Sequence, residues 1–371
     1  MMNFIPVLLY YLINTLFILK YGARINVTLA VGSALVYGIL IMALVYCKKQ
    51  NHLPQIRTSY LMALSVLATV ALIAIQYTIN PWHLQVDRWS AIHNNLSYLL
   101  QGRFPYSART HLGGYGSPFP VWQLFHLPFY ALRNVGLSLF FAVWLVFVAF
   151  RRFYGTRRAS TLLLLLFASP AFIYEAAVRS DLMANFLICL SLVLFVWKSA
   201  GEFGKHLLSL SILCGLLLST RFSAGIPLFI LLLPCYFRLS LGKKILFPVL
   251  VLVVFALTFV PLLLWDGQML LFFQYNPFVL QTRQGSLPVL IVCGLLCVSF
   301  ALSWRGNAYY YLINSGLALF TLVLITFAYN MISSGNYGLF TSTYDITYFD
   351  MSLPFVCSAI TLYLTAQKGR K

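Results

Sequence analysis

Long apolar runs, separated by short polar segments, follow one another along the whole chain. A bilayer core about 30 Å thick is crossed by roughly 20 apolar residues in a helix, and this length identifies about twelve candidate membrane helices. Several are shorter than that, so we expect some to be tilted or merged. The runs lie near residues 4–19, 27–46, 58–78, 137–150, 160–174, 182–197, 207–220, 224–237, 245–265, 286–303, 309–331 and 352–366.

Composition assigns the chain to a class of protein. Hydrophobic residues make up 61% of the sequence and charged residues 9%, whereas charged residues are about 25% of a soluble globular domain. No tandem repeat, Gly/Ser linker or low-complexity tract divides the 371 residues. We therefore predict an all-α polytopic membrane protein, with one integral domain over residues 1–371 and no separate soluble domain.

The net charge of +18 is explained by membrane topology. The basic residues occur in short clusters between apolar runs and form no continuous patch of the kind that binds nucleic acid. Every second loop is basic, as the positive-inside rule predicts for cytoplasmic loops, so both termini are expected in the cytoplasm. The strongest clusters are Lys48, Lys49 and Arg57, then Arg151, Arg152, Arg157 and Arg158, then Arg238, Lys243 and Lys244, then Lys368, Arg370 and Lys371.

Acidic residues show the opposite distribution. With this topology, six of the seven carboxylates lie on the outer side and only Glu202 faces the cytoplasm. Carboxylates are common catalytic acids and bases, so we expect any chemistry at the outer face. The six are Asp87, Glu175, Asp181, Asp266, Asp345 and Asp350.

The outer segments are expected to meet around one cavity. Three of them are long, at residues 79–136, 265–285 and 332–351, and two are tight turns near 175–181 and 221–223. Aromatic residues recur throughout the first long segment. This density favours short helices lying in the membrane interface, rather than a disordered linker.

Asp87 lies in the first outer segment, in an aromatic and basic setting, and is a candidate general base. Two other interpretations are open at this point. The carboxylate can pair with Arg88, or it can cap the helical stretch 90–100, since Asp is a favoured N-cap residue. His93 and Asn94 follow about two helical turns later on a similar face, where they either line an acceptor pocket or face solvent.

Several motifs in this region resemble a known family. After Asp87 and the helical stretch come Gly102-Arg103-Phe104-Pro105-Tyr106, Ser117-Pro118-Phe119-Pro120 and Leu127-Pro128-Phe129-Tyr130. Their order is similar to the first outer loop of GT-C glycosyltransferases, most of all the polyprenol-phosphate-mannose-dependent mannosyltransferase branch. The resemblance implies a GT-C-like arrangement of the helices, with Asp87 as catalytic base, and it marks Tyr106 as a substrate-binding candidate.

Two later motifs extend the resemblance to roughly residues 80–235. Arg179-Ser180-Asp181 leads into a helix, as an Arg-x-Asp sequence does in such enzymes, and Ser219-Thr220-Arg221-Phe222 resembles a later basic helix end. Asp181 is therefore a second substrate-binding candidate. The chain departs from many family members in having two helices before the one that leads to Asp87, and it lacks an Asp-x-Asp pair.

Arginines are the candidate ligands of a donor phosphate, because the guanidinium fork matches phosphate oxygens. Arg179, Arg221 and Arg283 lie at outer helix ends or in outer loops, where an unpaired charge is costly. For Arg179 the anion is either a substrate phosphate or a neighbouring acid, Glu175 or Asp181. Arg221 has no acid near it in sequence, so it is the favoured phosphate ligand.

Metal and cofactor sites are not indicated by the sequence. The seven cysteines lie in or beside apolar runs without metal-ligand spacing, and the histidines of the first outer segment are irregularly spaced. We predict no metal ligand and no cofactor, and leave a requirement for a divalent ion open. Tyr348 lies among acids and aromatic residues near the last helix, a mixture typical of sugar sites and also of interfacial tyrosine belts.

Together these features predict an inverting membrane glycosyltransferase. It would transfer mannose, or another hexose or pentose, from a polyprenyl-phosphate donor to a glycan, glycolipid or protein acceptor at the outer face of a bacterial inner membrane. Two other classes remain open. A polysaccharide polymerase or ligase would use the arginines on undecaprenyl-linked substrates without needing Asp87, and a lipid or glycolipid transporter would have ionisable residues near the membrane midplane.

Overall fold

The computed structural model describes residues 4–50, 56–283, 285–338, 340 and 344–365. Within these ranges the chain is helical, apart from loops and one isolated bridge between Arg109 and Tyr115. The α-helices, in chain order, are α1 (Ile5–Gly22), α2 (Val27–Lys49), α3 (Thr58–Thr78), α4 (Arg88–Leu100), α5 (Pro120–Phe125), α6 (Leu127–Ala131), α7 (Leu137–Tyr154), α8 (Thr156–Phe167), α9 (Pro170–Ala177), α10 (Leu182–Gly201), α11 (Leu207–Leu218), α12 (Gly225–Tyr236), α13 (Leu241–Leu270), α14 (Pro277–Thr282), α15 (Leu287–Ser303), α16 (Ala308–Ser334) and α17 (Leu353–Thr365).

A multi-pass helical membrane protein is confirmed by the helix lengths and their composition. Each apolar run identified in the sequence contains helix. Among the described residues, seven helices are long and apolar enough to cross a membrane, namely α1, α2, α3, α7, α10, α13 and α16. Helices α11, α12, α15 and α17 are apolar but shorter. The full count of twelve spans, the GT-C arrangement and the orientation in the membrane remain predictions, and the basic cluster of residues 368–371 lies outside the described residues.

The run predicted near 160–174 is bent rather than continuous. Helices α8 and α9 meet at an angle of 72°, so together they form either one broken span or a re-entrant pair. Pro170 has no N–H to continue the helix, and the Ser169 side chain accepts from the Phe172 N–H and so starts α9 as its N-cap. The bend directs α9 so that Glu175, on its last turn, is completely buried.

Helix α10 lies at the centre of the bundle. It packs against α7, α12 and α17, and its residues Phe186, Leu187 and Leu190 are completely buried. Helix α2 is different, since Ala30 and Ala34 are its buried residues and the rest of its apolar surface is open. A helix that is apolar on every side and packs little against protein is typical of a lipid-facing position.

Contacts link the five segments predicted to be outer, although the apolar cavity described below is lined by none of residues 79–136 or 175–181. Gln281 in α14 donates from Nε2 to the Ser117 carbonyl at 2.8 Å, and its Oε1 accepts from the Phe222 N–H at 3.0 Å. One amide therefore joins the first long segment, the second long segment and the turn near 221–223. The third long segment is joined to the first by an ion pair between Arg88 and Asp345, and the turn near 175–181 by contacts of Asp181.

Candidate functional site

Asp87 precedes the first residue of α4 and neither caps the helix nor pairs with Arg88. Its side chain makes no capping hydrogen bond. Instead Oδ2 accepts from the Thr110 hydroxyl at 2.8 Å. Within the described residues no hydrogen bond is made to Oδ1, so this half-buried carboxylate is oriented by one oxygen and open at the other.

A tight turn brings Thr110 to Asp87. The Thr110 N–H donates to the Gly114 carbonyl at 2.8 Å, and Gly113 between them has a φ of 85°, which favours glycine. The Gly114 N–H donates to the Thr110 hydroxyl oxygen at 3.1 Å, so that oxygen is both acceptor and donor. A side chain at position 114 would start 3.2 Å from Asp87 Oδ2, and glycine keeps that space clear.

Arg88, next to Asp87, is directed to the third outer segment. Its Nη2 donates to Asp345 at 2.7 Å and to the Thr347 hydroxyl at 3.0 Å, and its guanidinium lies 4.6 Å from the centre of the Tyr348 ring. Burial alone would raise the pKa of Asp345, but Arg88 and the hydrogen bonds from Thr347 together hold it below its ordinary value. Tyr348, a predicted sugar contact, thus touches the residue beside the candidate base.

Asp181 pairs with Arg221 in the structure and not with Arg179. Arg221 is not free for a phosphate, because its Nη2 donates to Asp181 at 2.7 Å and both side chains are buried. The Trp122 indole donates to the same Asp181 oxygen at 2.6 Å. Burial raises the pKa of Asp181, but the charges of Arg221 and Arg88 lower it by more. The pKa therefore lies below its ordinary value, and the group is ionised. Asp181 is therefore engaged within the protein.

Arg179 has no acid partner within the described residues. Its Nη2 donates to the Gln76 carbonyl and, at 3.4 Å, to the Ile79 carbonyl, both at the outer end of α3. The reason lies in the backbone, since Arg179 has a φ of 56° in the turn between α9 and α10. This left-handed turn sends Arg179 towards α3 while Asp181, two residues later, points into the bundle.

Three of the predicted substrate-binding residues support the first outer segment. Tyr106 is completely buried, and its hydroxyl donates to the Pro118 carbonyl at 2.9 Å. Asn94 donates to the Arg109 carbonyl at 2.8 Å, which ties α4 to the turn that holds Thr110. His93 is half-buried, with its ring centre 4.9 Å from that of Tyr130. Of the three, Tyr106 is buried, whereas His93 and Asn94 are half-buried.

A large apolar cavity lies beside Tyr348 and was not predicted at this place. It has a volume of about 800 Å³ and is lined by α11 to α16, with Leu232, Phe247 and Cys297 among its interior residues. Gln281, Thr282 and Tyr348 are polar residues of its lining. Arg283 follows Thr282 directly and is exposed. In the sequence, the cavity was indicated only weakly, by glycines at positions 225 and 294 on two of the lining helices.

Comparisons with known proteins add no assignment. No family model, curated protein or solved structure matches this chain. Within the described residues, no three His, Cys, Asp or Glu side chains are placed to hold a metal ion. The resemblance to GT-C enzymes and the metal-free chemistry therefore stay predictions.

A buried pair of acids was missed by the sequence reasoning. Asp350 is completely buried, and neither of its carboxyl oxygens has a partner in the described part of the chain. Burial, and then the nearby charge of Glu175, raise the pKa of Asp350 well above its ordinary value, although Arg88 opposes this. Burial and the charge of Glu175 therefore favour the protonated, neutral form of Asp350.

Replacing Asp350 with asparagine is expected to make stability less dependent on pH. An acid whose pKa is raised by folding stabilises the folded state fully below its ordinary pKa of about 3.9, and the stabilisation is lost as pH rises through the folded pKa. The amide cannot ionise, so the melting temperature of Asp350→Asn in detergent should fall less than that of the wild type between about pH 5 and pH 9. Glu202→Gln, at an exposed site, is the control. Parallel declines in the wild type and Asp350→Asn would show that Asp350 does not titrate.

Proposed function

We propose that the protein is a GT-C-type membrane glycosyltransferase that moves a sugar from a polyprenyl-phosphate donor to an acceptor at the outer face. One juxtaposition supports this proposal most strongly. Asp87 has an open carboxylate oxygen, its neighbour Arg88 lies on the Tyr348 ring, and Tyr348 lines the 800 Å³ apolar cavity. The candidate base is thus connected, through Arg88 and Tyr348, to a cavity that suits part of a lipid chain.

The cavity suits the hydrocarbon part of such a donor. Most of its lining residues are apolar, and Gln281, Thr282 and Tyr348 are among the polar ones, so a polyprenyl chain would lie along the apolar lining with its phosphate near these three residues. Transfer of apolar groups into such a site contributes about 0.8 kcal/mol for each buried CH₂. The cavity therefore accounts for affinity without requiring contacts to the sugar.

The donor phosphate needs positive charge nearby. Arg221 and Arg179 are engaged by Asp181 and by backbone carbonyls. Arg283 follows Thr282 of the cavity lining and is exposed. Arg88 is paired through Nη2, as Arg221 is, but its guanidinium lies 4.6 Å from the centre of the Tyr348 ring, and Tyr348 lines the cavity. We assign donor phosphate binding to Arg283, with Arg88 as a second ligand, rather than to Arg221, which the sequence favoured.

The reaction is a direct displacement. Asp87 Oδ1 accepts the proton of the acceptor hydroxyl while the acceptor oxygen forms a bond to the anomeric carbon of the donor sugar. The bond from that carbon to the phosphate oxygen breaks, and the lipid phosphate leaves with the electron pair, stabilised by the arginines. Attack from the side opposite the leaving group inverts the anomeric configuration. Thr110, by binding Oδ2, keeps Asp87 in the required orientation.

The decisive experiment is transfer of radiolabelled sugar by the purified full-length protein. Polyprenyl-phosphate-mannose and related hexose and pentose donors would be supplied with a membrane lipid extract as the acceptor source. Labelled product from one donor, with inverted configuration, would support the proposal and identify the sugar. Product from no donor would contradict it and favour the polymerase or transporter interpretation.

Partial filling of the cavity provides a separate test of the donor lipid. Gly294 in α15 lines the cavity, and an added Cβ would meet no atom within 4 Å, so Gly294→Leu should fill space without moving the backbone. Displacing about two buried CH₂ groups should raise the KM for a long-chain donor about tenfold, with a smaller change for a short-chain donor.

The matched control is Gly32→Leu in α2. Gly32 also has no atom within 4 Å of an added Cβ, but it lies away from the cavity. The same KM change in Gly32→Leu, or equal effects of Gly294→Leu on long and short donors, would show that the cavity does not hold the lipid chain.

A further inference from the structure

A cluster of five rings lies beside the candidate base in the first outer segment. We call Trp82, Trp89, His93, His111 and Tyr130 the ring cluster. Trp82 is at its centre, with ring centres 5.0 Å from Trp89, 6.1 Å from His111 and 6.4 Å from His93, all with near-perpendicular planes. Tyr130 extends the cluster through His93 at 4.9 Å. Two indoles, one phenol and two imidazoles thus form one continuous cluster.

The ring cluster is held rigidly. The backbone N–H of Trp82 donates to Asn80 Oδ1 at 3.1 Å, and Pro81 fixes the preceding backbone. His111 uses both ring nitrogens, one with the Ser90 hydroxyl at 2.7 Å and one with the Leu84 carbonyl at 2.8 Å. A fixed aromatic surface loses little conformational entropy when it binds a partner.

Exposure within the ring cluster is uneven. Trp89 is 3% exposed and forms the floor, whereas Trp82 is 53% exposed and presents an open ring. The buried Trp89 indole N–H has no acceptor among the described residues, and such a donor normally finds one. Tyr130 Oη and His93 Nε2 also make no hydrogen bond within the described part of the chain. The surface therefore combines one open aromatic face with several polar groups that lack partners.

The position of the ring cluster relates it to Asp87. Thr110, which binds the Asp87 carboxylate, directly precedes His111. Ser90, which binds His111, also donates to the Asp87 carbonyl at 2.9 Å. A molecule seated on Trp82 would therefore lie next to the carboxylate that accepts the proton.

We propose that the ring cluster binds a pyranose ring of the acceptor, stacked on Trp82. The C–H face of a pyranose packs on an indole, while its hydroxyls at the rim exchange hydrogen bonds with imidazole, phenol and indole groups. That the bound sugar belongs to the acceptor rests on the proposed function, whereas the binding of a sugar ring does not. It follows that the acceptor already carries a sugar before transfer.

An interfacial lipid contact is the alternative occupant, since Trp82 follows the outer end of α3 and tryptophan is common in that zone. The His93 imidazole and the Tyr130 phenol favour a sugar, because a lipid anchor has no need for hydrogen-bonding groups beside the open indole. The experiment below distinguishes a sugar from a lipid by measuring association with glycosides and with phosphatidylglycerol vesicles.

Binding of methyl glycosides and disaccharides of mannose, glucose and galactose to the full-length protein, without any donor, tests the proposal. Saturation-transfer NMR and tryptophan fluorescence titration would be used. We expect binding of at least one glycoside, an affinity about tenfold lower in Trp82→Ala, and an affinity within about threefold of the wild type in Trp82→Phe, which keeps a stacking ring. Tyr130→Phe, which removes only a hydroxyl, should also weaken binding.

The control is Trp265→Ala. Trp265 is a similarly exposed outer tryptophan outside the ring cluster, 6.0 Å from Phe104. Absence of glycoside binding to the wild type, equal losses in Trp82→Ala and Trp265→Ala, or a loss in Trp82→Ala confined to association with phosphatidylglycerol vesicles would overturn the proposal. The binding measurement contains no donor, so it is independent of the transfer assay. Sugar transfer without glycoside binding would overturn this inference alone. Glycoside binding without transfer would overturn only the proposed reaction.

Discussion

Replacing Asp87 with asparagine is expected to lower sugar transfer by about 10²- to 10⁴-fold, the range typical for loss of a general base. The asparagine carbonyl oxygen can still accept from Thr110, so the turn that holds position 87 should be kept. The amide cannot take the acceptor proton. We therefore expect an unchanged melting temperature and a loss of kcat, measured with the donor that the wild type uses.

The appropriate control is Asp266→Asn. Asp266 is also an acid of the outer segments, and its Oδ1 accepts from the Met269 N–H at 2.9 Å, but no contact joins it to Asp87 or Thr110 among the described residues. Its replacement should leave kcat within about threefold. Equal transfer by the wild type and Asp87→Asn would remove Asp87 as the base and with it the central step of the proposed mechanism.

Replacing Arg221 with alanine is expected to destabilise the protein by roughly 3–5 kcal/mol, the usual cost of removing one partner of a buried ion pair. Asp181 would remain buried with the Trp122 indole as its main donor. The free energy of unfolding in detergent, or the melting temperature at fixed detergent concentration, measures this. Because the pair joins two outer turns, proteolysis near residues 175–223 should also become faster.

The comparison is Lys205→Ala. Lys205 pairs with Glu202 at 3.0 Å, but both side chains are largely exposed, and such a pair contributes about 0–1 kcal/mol. An Arg221→Ala variant as stable as Lys205→Ala would show that the Asp181 pair does not hold the turns together. The double variant Asp181→Asn/Arg221→Met should recover part of the stability, since no buried charge is left alone.

That double variant also tests the reassignment of the donor phosphate. If Arg88 and Arg283 hold the phosphate, the double variant should keep its KM for the donor within about threefold once it is folded. A large rise in donor KM at unchanged stability would return Arg221 to the role that the sequence favoured.

The membrane helices could be located from sequence because their signal is local. A run of about 20 apolar residues needs no distant partner to be recognised. The bend between α8 and α9 was available from Pro170 and Ser169 but was missed, because hydrophobicity continues across it. The four short apolar helices show the limit of this measure, since length alone does not determine whether they cross the bilayer.

The candidate site could be predicted only in part, because its contacts are distant in sequence. Asp87 could be singled out from sequence as a candidate base, but its partner Thr110 is 23 residues away. The partner of Arg88 is 257 residues away. For Arg221 the absence of a nearby acid in sequence was misleading, because Asp181, 40 residues away, pairs with it. For Arg179, where a neighbouring acid was one of two possibilities, a positive φ turns the side chain away from Asp181.

The ion pair of Arg88 with Asp345 also has a consequence for how the protein is made. The first outer segment leaves the ribosome 257 residues before its partner. At a synthesis rate of about 5–20 residues per second, roughly 10–50 s pass before Asp345 is available. During that interval the segment that carries Asp87 waits at the membrane surface with Arg88 unpaired, so the site is completed only when the last third of the chain has been inserted.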